Sequence, residues 1–355
     1  MIVSPSKIML APLSALYGMA TRARLALYHQ GAFNVERIEA PVISVGNITA
    51  GGTGKTPLVA WLARAVAREG KRACILTRGY GRENPKTRVL VSDGERVLAD
   101  VRESGDEPLM LALMLRGLAA VVSDANRVEA ARWAMKNLNS EVFILDDGFQ
   151  HLRIARDLNI VTLDALNPWG GKHLLPRGTL REPLAGLRRA DCLVITRADQ
   201  STDLDALRAE ASRLSGGRPI FLSRMKHARV RPLFSTMAQQ DHSLDALTQQ
   251  PIAAFCAIGN PQAFFKQMTV NGITPAYTRA FSDHHLYTQS EIDTLSAEAQ
   301  ARGAQALLTT AKDAVKLSSL DFPLPCYVLE VELTFDEDEQ DALLDQLRKA
   351  IKSRG

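Results

Sequence analysis

Short, largely apolar runs of strand length alternate along this chain with longer stretches in which apolar residues recur every third or fourth position. The runs at 42–45, 73–77, 119–123, 142–145, 159–163, 193–196 and 220–223 are nearly continuous rather than alternating, as expected of parallel strands buried on both faces. Most of the stretches between them have helical period. Leu58, Val59, Trp61, Leu62, Ala65 and Val66 share one face, and Gly70 follows as a stop. The segment 87–97 differs: its Asp93-Gly94 predicts a hairpin turn. Regular pattern fades around 226–250 and returns with strands over 252–258, 277–281, 306–309 and 327–331. Helices are predicted from Pro261, from Thr288 (a capping box with Glu291) and from Asp336, whose acidic start and basic end match the helix dipole.

This alternation predicts an α/β protein. The expected architecture is a Rossmann-like, three-layer parallel sheet domain over 31–225, a linker over 226–250, and a second, smaller α/β domain over 251–355. Residues 1–30 stand apart. Ile8 to Ala20 is apolar but shorter than the roughly 20 residues a membrane-spanning helix needs. With Tyr17, Met19, Lys7, Arg22 and Arg24 around it, the segment predicts a membrane-associated helix lying in the lipid interface; the alternative is a helix packed on the core. At 355 residues the chain can bury two cores, and its net charge of +4 is too mild for a dedicated nucleic-acid binder. Cys74, Cys192, Cys256 and Cys326 are far apart, with no zinc or disulfide spacing, which points to a reducing cytoplasm.

The strongest chemical signal follows the first strand. Gly51-Gly52-Thr53-Gly54-Lys55-Thr56 is a glycine-rich turn that opens a helix. Its backbone N–H groups and the helix dipole suit phosphates, Lys55 adds a charge, and Thr56 offers a hydroxyl to Mg²⁺. The usual spacing would place glycine at Thr49, so Gly51 and Gly52 must carry the turn. This P-loop implies a nucleoside triphosphate. Asp146 and Asp147 end an apolar strand, where open α/β sheets bind ligands, and are the expected metal-holding pair. Asp106, in Gly105-Asp106-Glu107-Pro108, is the candidate base, with a cap for the following helix as the alternative. His284 and His285 form a second polar knot from which one histidine could assist Asp106. Arginines in 77–82 and 175–183 suit phosphate recognition. Thr196-Arg197-Ala198-Asp199 weakly resembles a guanine-reading motif, and with the N-terminal helix it favours the competing reading of a membrane-associated ATPase or GTPase switch.

Taken together, these segments resemble the bacterial lipid A 4′-kinase family, tetraacyldisaccharide 4′-kinase. The resemblance rests on Ser-Val-Gly-Asn (44–47), Gly-Gly-Thr-Gly-Lys-Thr-Pro (51–57), Thr-Arg-Gly-Tyr-Gly-Arg (77–82) and Gly-Asp-Glu-Pro (105–108). It continues through Asp-Asp-Gly-Phe-Gln-His (146–151), Leu-Leu-Pro-Arg-Gly-Thr-Leu-Arg-Glu-Pro (174–183), Phe-Ser-Asp-His-His-Leu-Tyr (281–287) and Thr-Thr-Ala-Lys-Asp-Ala-Val-Lys-Leu (309–317). It implies γ-phosphate transfer from ATP, with Mg²⁺, to the 4′-hydroxyl of an acylated glucosamine disaccharide 1-phosphate. The implied setting is the cytoplasmic face of the bacterial inner membrane, bound peripherally to the lipid surface, with no nucleic acid and no obligate protein partner. Carried over by position, Lys55 and Thr56 bind phosphates and Mg²⁺, Asp146 and Asp147 the metal, and Asp106 is the base, assisted by His284 or His285. Arg181 is implied as a further catalytic group and Glu182 as a further metal ligand.

Overall fold

A computed structural model describes residues 10–234, 247, 250–270 and 272–353. In chain order the first elements are α1 (Ala11–His29), β1 (Val42–Gly46), α2 (Lys55–Arg68), β2 (Ala73–Thr77), β3 (Val89–Ser92), α3 (Val101–Ser104), α4 (Asp106–Met114), β4 (Ala119–Ser123) and α5 (Arg127–Leu138). Then come β5 (Val142–Asp146), β6 (Leu158–Asp164), β7 (Cys192–Thr196), α6 (Leu204–Ser215), β8 (Ile220–Pro232), β9 (Ile252–Cys256), α7 (Pro261–Val270) and β10 (Tyr277–Ala280). The chain closes with α8 (Gln289–Ala301), β11 (Ala306–Thr310), α9 (Ala311–Ala314), β12 (Cys326–Phe335) and α10 (Glu337–Lys352).

Among the described residues the strands form one sheet of 12, ordered β10-β9-β11-β12-β8-β7-β6-β1-β5-β2-β4-β3. Its pairings are parallel except at β12–β8 and β4–β3. The period-two logic of a strand is visible at β1. Ile43 and Val45 point to the face covered by Leu58, Leu62 and Val66 of α2 and Leu111 of α4, while Val42 points to the face covered by Val128, Ala131 and Ala134 of α5. A sheet buried on both faces needs the continuous apolar runs seen in the sequence. The Asp93-Gly94 turn is present, with Asp93 Oδ1 accepting the N–H groups of Glu95 and Arg96, but its second arm makes a single bridge from Val97 to Ser92.

Two features of the sheet bear on the expected boundaries. The linker expected from 226 begins inside β8, which continues to Pro232 because Arg224 to Pro232 pair with β12, with one register shift opposite Glu330 and Val331. That pairing also carries the chain back to the first half of the sheet. Leu343 and Leu347 of α10 therefore share a core with Leu58 and Leu62 of α2 and with Leu333 near the end of β12. The remainder of the expected linker lies mostly outside the described residues.

Helix α1 has two unlike faces. Ser14 Oγ donates to the Leu174 carbonyl at 2.9 Å, Tyr17 Oη to the Arg181 carbonyl at 2.8 Å, and Arg24 to the Gln150 carbonyl at 3.0 Å. Leu13, Leu16 and Met19 are more than half exposed. No helix among the described residues is long and apolar enough to cross a membrane.

The end of β1 is packed to contact. A methyl added at Gly46 would lie 2.6 Å from the Phe149 backbone nitrogen, which cannot swing aside. Gly46→Ala is therefore expected to cost ~1–3 kcal/mol of unfolding free energy, read from chemical denaturation. An unchanged midpoint and slope would refute this account of the turn.

Candidate active site

Parallel strands deliver their C-terminal loops to one edge, and the loops after β1, β2 and β5 meet there. Gly54 adopts φ 76° as α2 begins at Lys55, and Gly51 adopts φ 113°. Thr49, where the usual spacing has glycine, bridges to Leu180, and the Ala50 N–H donates to the Thr179 carbonyl at 2.7 Å. The loop thus leans on 179–181, and glycine freedom is needed only further on.

Beneath the loop runs a buried chain of hydrogen bonds. Thr162 Oγ1 donates to the Gly46 carbonyl at 3.2 Å, so the proton between Thr162 and Thr53, 2.8 Å apart, comes from Thr53. Thr53 in turn accepts from Asn47 Nδ2 at 2.9 Å. Arg197, in the stretch resembling a guanine-reading motif, is occupied elsewhere: it donates to Asp164 and to the Gly52 carbonyl, and so supports the P-loop.

The two adjacent carboxylates at the end of β5 have different surroundings. Asp147, in the left-handed region at φ 54°, accepts from Arg181 Nη1 at 2.7 and 2.9 Å, and lies 3.7 Å from Lys55 Nζ. Burial alone would raise its pKa, but the Lys55 and Arg181 charges hold it below the ordinary value. Asp146 is 2 % exposed, its Oδ1 has no partner, and its pKa is pushed up to about 7 by burial and by the charges of Glu107 and Asp147. An orphaned carboxylate oxygen beside the opening of α2 fits a cation, and Thr56 is on that same first turn. Glu182 does not join this set. Buried at 1 % exposure, it takes Gln150 Nε2 on Oε1 at 2.7 Å and the Arg189 guanidinium on Oε2. Both oxygens of Glu182 thus have a protein partner, unlike Asp146 Oδ1.

Asp106 begins α4 and does not cap it, since Gly105 occupies the cap position and Asp106 Oδ1 accepts the neighbouring Glu107 N–H at 2.9 Å. Its Oδ2 lies 2.8 Å from His284 Nδ1, in the loop that follows β10. Burial would raise the Asp106 pKa; the His284 hydrogen bond and the Lys312 charge hold it below the ordinary value. The same hydrogen bond raises the His284 pKa against the opposing effect of burial. His284 has φ 61°, and the turn there sends the next side chain elsewhere. His285 stacks on Phe281 with ring centroids 5.0 Å apart and meets the Glu291 carboxylate at 3.0 and 3.1 Å. Of the two histidines expected as partners of Asp106, His284 reaches it, whereas His285 is held by Glu291, itself fixed in its capping box with Thr288.

Some site residues escaped sequence reasoning. Arg127, at the first turn of α5, is 4 % exposed, with its pKa lowered to about 10 by burial and by Arg78. Asp146 and Asp147 attract it. Its one signal was position: it follows β4 just as the P-loop follows β1. Asn47 and Gln150 lie inside quoted motifs, yet their role as hydrogen-bond relays depends on who faces them. Beside the P-loop floor, a cavity of about 320 Å³ is lined by Tyr17, Thr21, Arg24, Gln150, Arg181 and Arg189.

The family profile described as Tetraacyldisaccharide-1-P 4′-kinase matches residues 6–351. A relative from Geobacter metallireducens, described as tetraacyldisaccharide 4′-kinase, is 43% identical over 309 residues, covering 87% of this chain and 88% of its own. One from Halothermothrix orenii, with the same description, is 36% identical over 340 residues, covering 92% and 88%. The crystal structure of LpxK from Aquifex aeolicus in complex with ATP matches with a TM-score of 0.77 and 31% identity, over 97% of this chain and 99% of that one.

The Asp106–His284 pair makes stability depend on pH in a defined window. Its contribution is complete between the ordinary carboxylate value of 3.8 and the ordinary imidazole value of 6.5. It is lost on acidification through the lowered Asp106 pKa, and on alkalinisation through the raised His284 pKa. Wild type should exceed His284→Gln by about 1 kcal/mol inside the window, with the gap closing as pH rises beyond it. Denaturant titrations at several pH values measure this, and a gap independent of pH would sink it.

Proposed function

Because the chain belongs to the tetraacyldisaccharide-1-P 4′-kinase family, we infer that it transfers the γ-phosphate of ATP to the 4′-hydroxyl of a tetraacylated glucosamine disaccharide 1-phosphate, a step of lipid A synthesis. The observation that carries the mechanism is the 2.8 Å contact of Asp106 with His284, across from a P-loop that ends in Lys55 and Thr56.

In this reading the backbone N–H groups of 51–55 and the Lys55 ammonium bind the ATP phosphates. Thr56 and Asp146 would hold Mg²⁺, which would supply neutralisation of phosphoryl charge. Asp147 clamps Lys55 and Arg181 in place, and Arg181 positions Asn47, 3.2 Å away, under the loop. Asp106 accepts the proton of the attacking sugar hydroxyl, while His284 orients its carboxylate and stabilises its charge. A neutral hydroxyl is a poor nucleophile, so this proton acceptor is the part that a mere ATP-binding protein would not need.

The substrate's acyl chains favour a membrane surface, and the outward stripe of α1 supports attachment there. Leu13, Leu16 and Met19 face solvent with Arg22 beside them, while the inward face holds the cavity next to Arg181. A lipid headgroup entering that cavity from the bilayer would approach the P-loop floor without leaving the interface. The cytoplasmic face of the inner membrane, where ATP is available, is the proposed location, and the proposed nucleotide unit is 31–225 completed by α10.

With γ-labelled ATP, Mg²⁺ and the tetraacyl disaccharide 1-phosphate in detergent micelles, label should enter a lipid-extractable product. Lys55→Ala should reduce this by about 100-fold or more. Asp106→Asn should do the same while nucleotide binding is retained. Label released only as inorganic phosphate would overturn the assignment. Paired Leu16→Asp and Met19→Asp substitutions should weaken flotation with anionic vesicles by roughly tenfold or more and leave folding intact. Unchanged flotation would exclude α1 as the anchor.

A further inference from the structure

Beside the Asp106–His284 pair lies a charge that the mechanism above leaves unused. Lys312, in the four-residue α9, has a side chain only 15% exposed. Its Nζ stands 3.1 Å from Asp283 Oδ1, 3.4 Å from Glu107 Oε1, 3.8 Å from Asp106 Oδ2 and 3.5 Å from His284 Nε2. It thus touches both halves of the site at once: Asp106 and Glu107 on α4, Asp283 and His284 on the loop after β10.

The position is rigidly prepared. Thr310 Oγ1 accepts the Asp313 N–H at 3.1 Å and donates to Asp313 Oδ2 at 2.7 Å. The same Oδ2 accepts the Ala257 N–H at 3.1 Å. Asp313 Oδ1 meets Lys316 Nζ at 2.8 Å, with both side chains at 1% exposure or less. A turn pinned this way gives residue 312 one direction to point.

We propose that Lys312 is a positioning residue: its ammonium fixes the tautomer of His284 and the ionisation of Asp106, so that the base is complete only when loop 281–287 and α4 are together. The argument turns on the two ring nitrogens. Nδ1 faces Asp106, which as a carboxylate can only accept, so Nδ1 carries the proton. Nε2 faces an ammonium, which can only donate, so Nε2 presents its lone pair. A second ring proton would point at Lys312. Asp283 Oδ2, 3.8 Å from Nε2, favours that proton, as does the Asp106 charge at the other nitrogen, and Lys312 draws Asp283 to itself. The remaining groups at the site are Glu107, whose charge Lys312 balances, Lys316, which acts on Asp106 from the turn after α9, and the Tyr80 ring, 5.4 Å from the His284 ring. The Lys312 charge lowers the pKa of both members of the pair. Removing it should therefore move both upward, and the two changes act on the rate in the same direction.

The proposal rests on Asp106 being the base, and its test keeps the two apart. The kcat/KM–pH profile of the full chain, with Mg–ATP and the tetraacyl disaccharide 1-phosphate, is compared for wild type, Lys312→Met and Lys312→Arg, alongside the NMR titration of His284. Lys312→Met should move the ascending limb and the His284 titration to higher pH by about one unit. It should lower kcat near neutrality by roughly tenfold while leaving the KM for ATP unchanged. Lys312→Arg, which keeps the charge, should leave both curves near their wild-type positions. If Lys312→Met does not fold, Lys312→Gln, uncharged but able to donate, carries the same expectation. A lower rate with unmoved limb and unmoved titration means a purely structural lysine and overturns the proposal, even where Asp106→Asn is inactive. Full turnover by Asp106→Asn removes the base reading itself, and the proposal with it.

Discussion

The hydrogen bond between His284 and Asp106 is the point at which two sets of loops meet. The strands β1, β2 and β5 end in the P-loop, the Arg78–Gly81 turn and the Asp146-Asp147 pair. Beyond the antiparallel β8–β12 step, β9, β10 and β11 run parallel to one another and end in 257–260, 281–287 and α9. Neither set has all the proposed parts: phosphate binding and the base belong to the first, the histidine and Lys312 to the second. A single 2.8 Å contact between a buried acid and an imidazole therefore constrains how the halves of the sheet must sit. Burying a carboxylate is costly unless it is hydrogen-bonded and neutralised, so the partners that make Asp106 tolerable also register the halves.

The same reasoning explains why so much charge is buried nearby. Asp313 and Lys316 are almost wholly enclosed, and removing either would strand the other in a low-dielectric interior. Such a pair adds little net stability by itself but strongly disfavours alternative packings of its turn. Beneath the P-loop the Asn47–Thr53–Thr162 chain does comparable work with neutral groups. Geometry in both places is set by pairing buried polar and charged groups, not by apolar packing alone.

What the sequence revealed divides along these lines. The strands over 42–45, 73–77 and 142–145, the P-loop and the two terminal aspartates were legible because their signals are local: an apolar run, glycines at a turn, a carboxylate at a strand end. Asp106 was legible as a polar residue in a Gly/Pro-bounded loop. The choice between His284 and His285 was not, since it is made by a left-handed residue and by Glu291, six positions beyond His285. Glu182 was expected as a metal ligand from its motif, and its partners Gln150 and Arg189 could not be read from it. Lys312 sat in a quoted motif without a role, because its partners come from residues about 30 to 200 positions away in sequence. The return of α10 to the first core was equally hidden, as nothing in an amphipathic helix states which sheet it covers.

Asp146 and Asp147 show why residue type and spacing alone underdetermine a site. Both are acids at the end of one strand, and a sequence reading gives them one task. The left-handed turn at Asp147 separates their side chains, and the two environments then diverge. Asp147 meets Arg181 and Lys55, which favour its charge; Asp146 meets Glu107 and Asp147, which oppose it, and keeps an oxygen without a partner. If both were metal ligands, Lys55 would lose the carboxylate 3.7 Å from its ammonium, and Arg181 would lose its hydrogen-bonded partner. If neither were, the buried Asp146 would be an unrelieved cost. The proposed division of roles resolves both difficulties: the neutralised aspartate would organise the cations of the site, and the other would be left for a cation that arrives with the nucleotide. The asymmetry between two adjacent identical residues is thus a consequence of their burial and of their neighbours' charges.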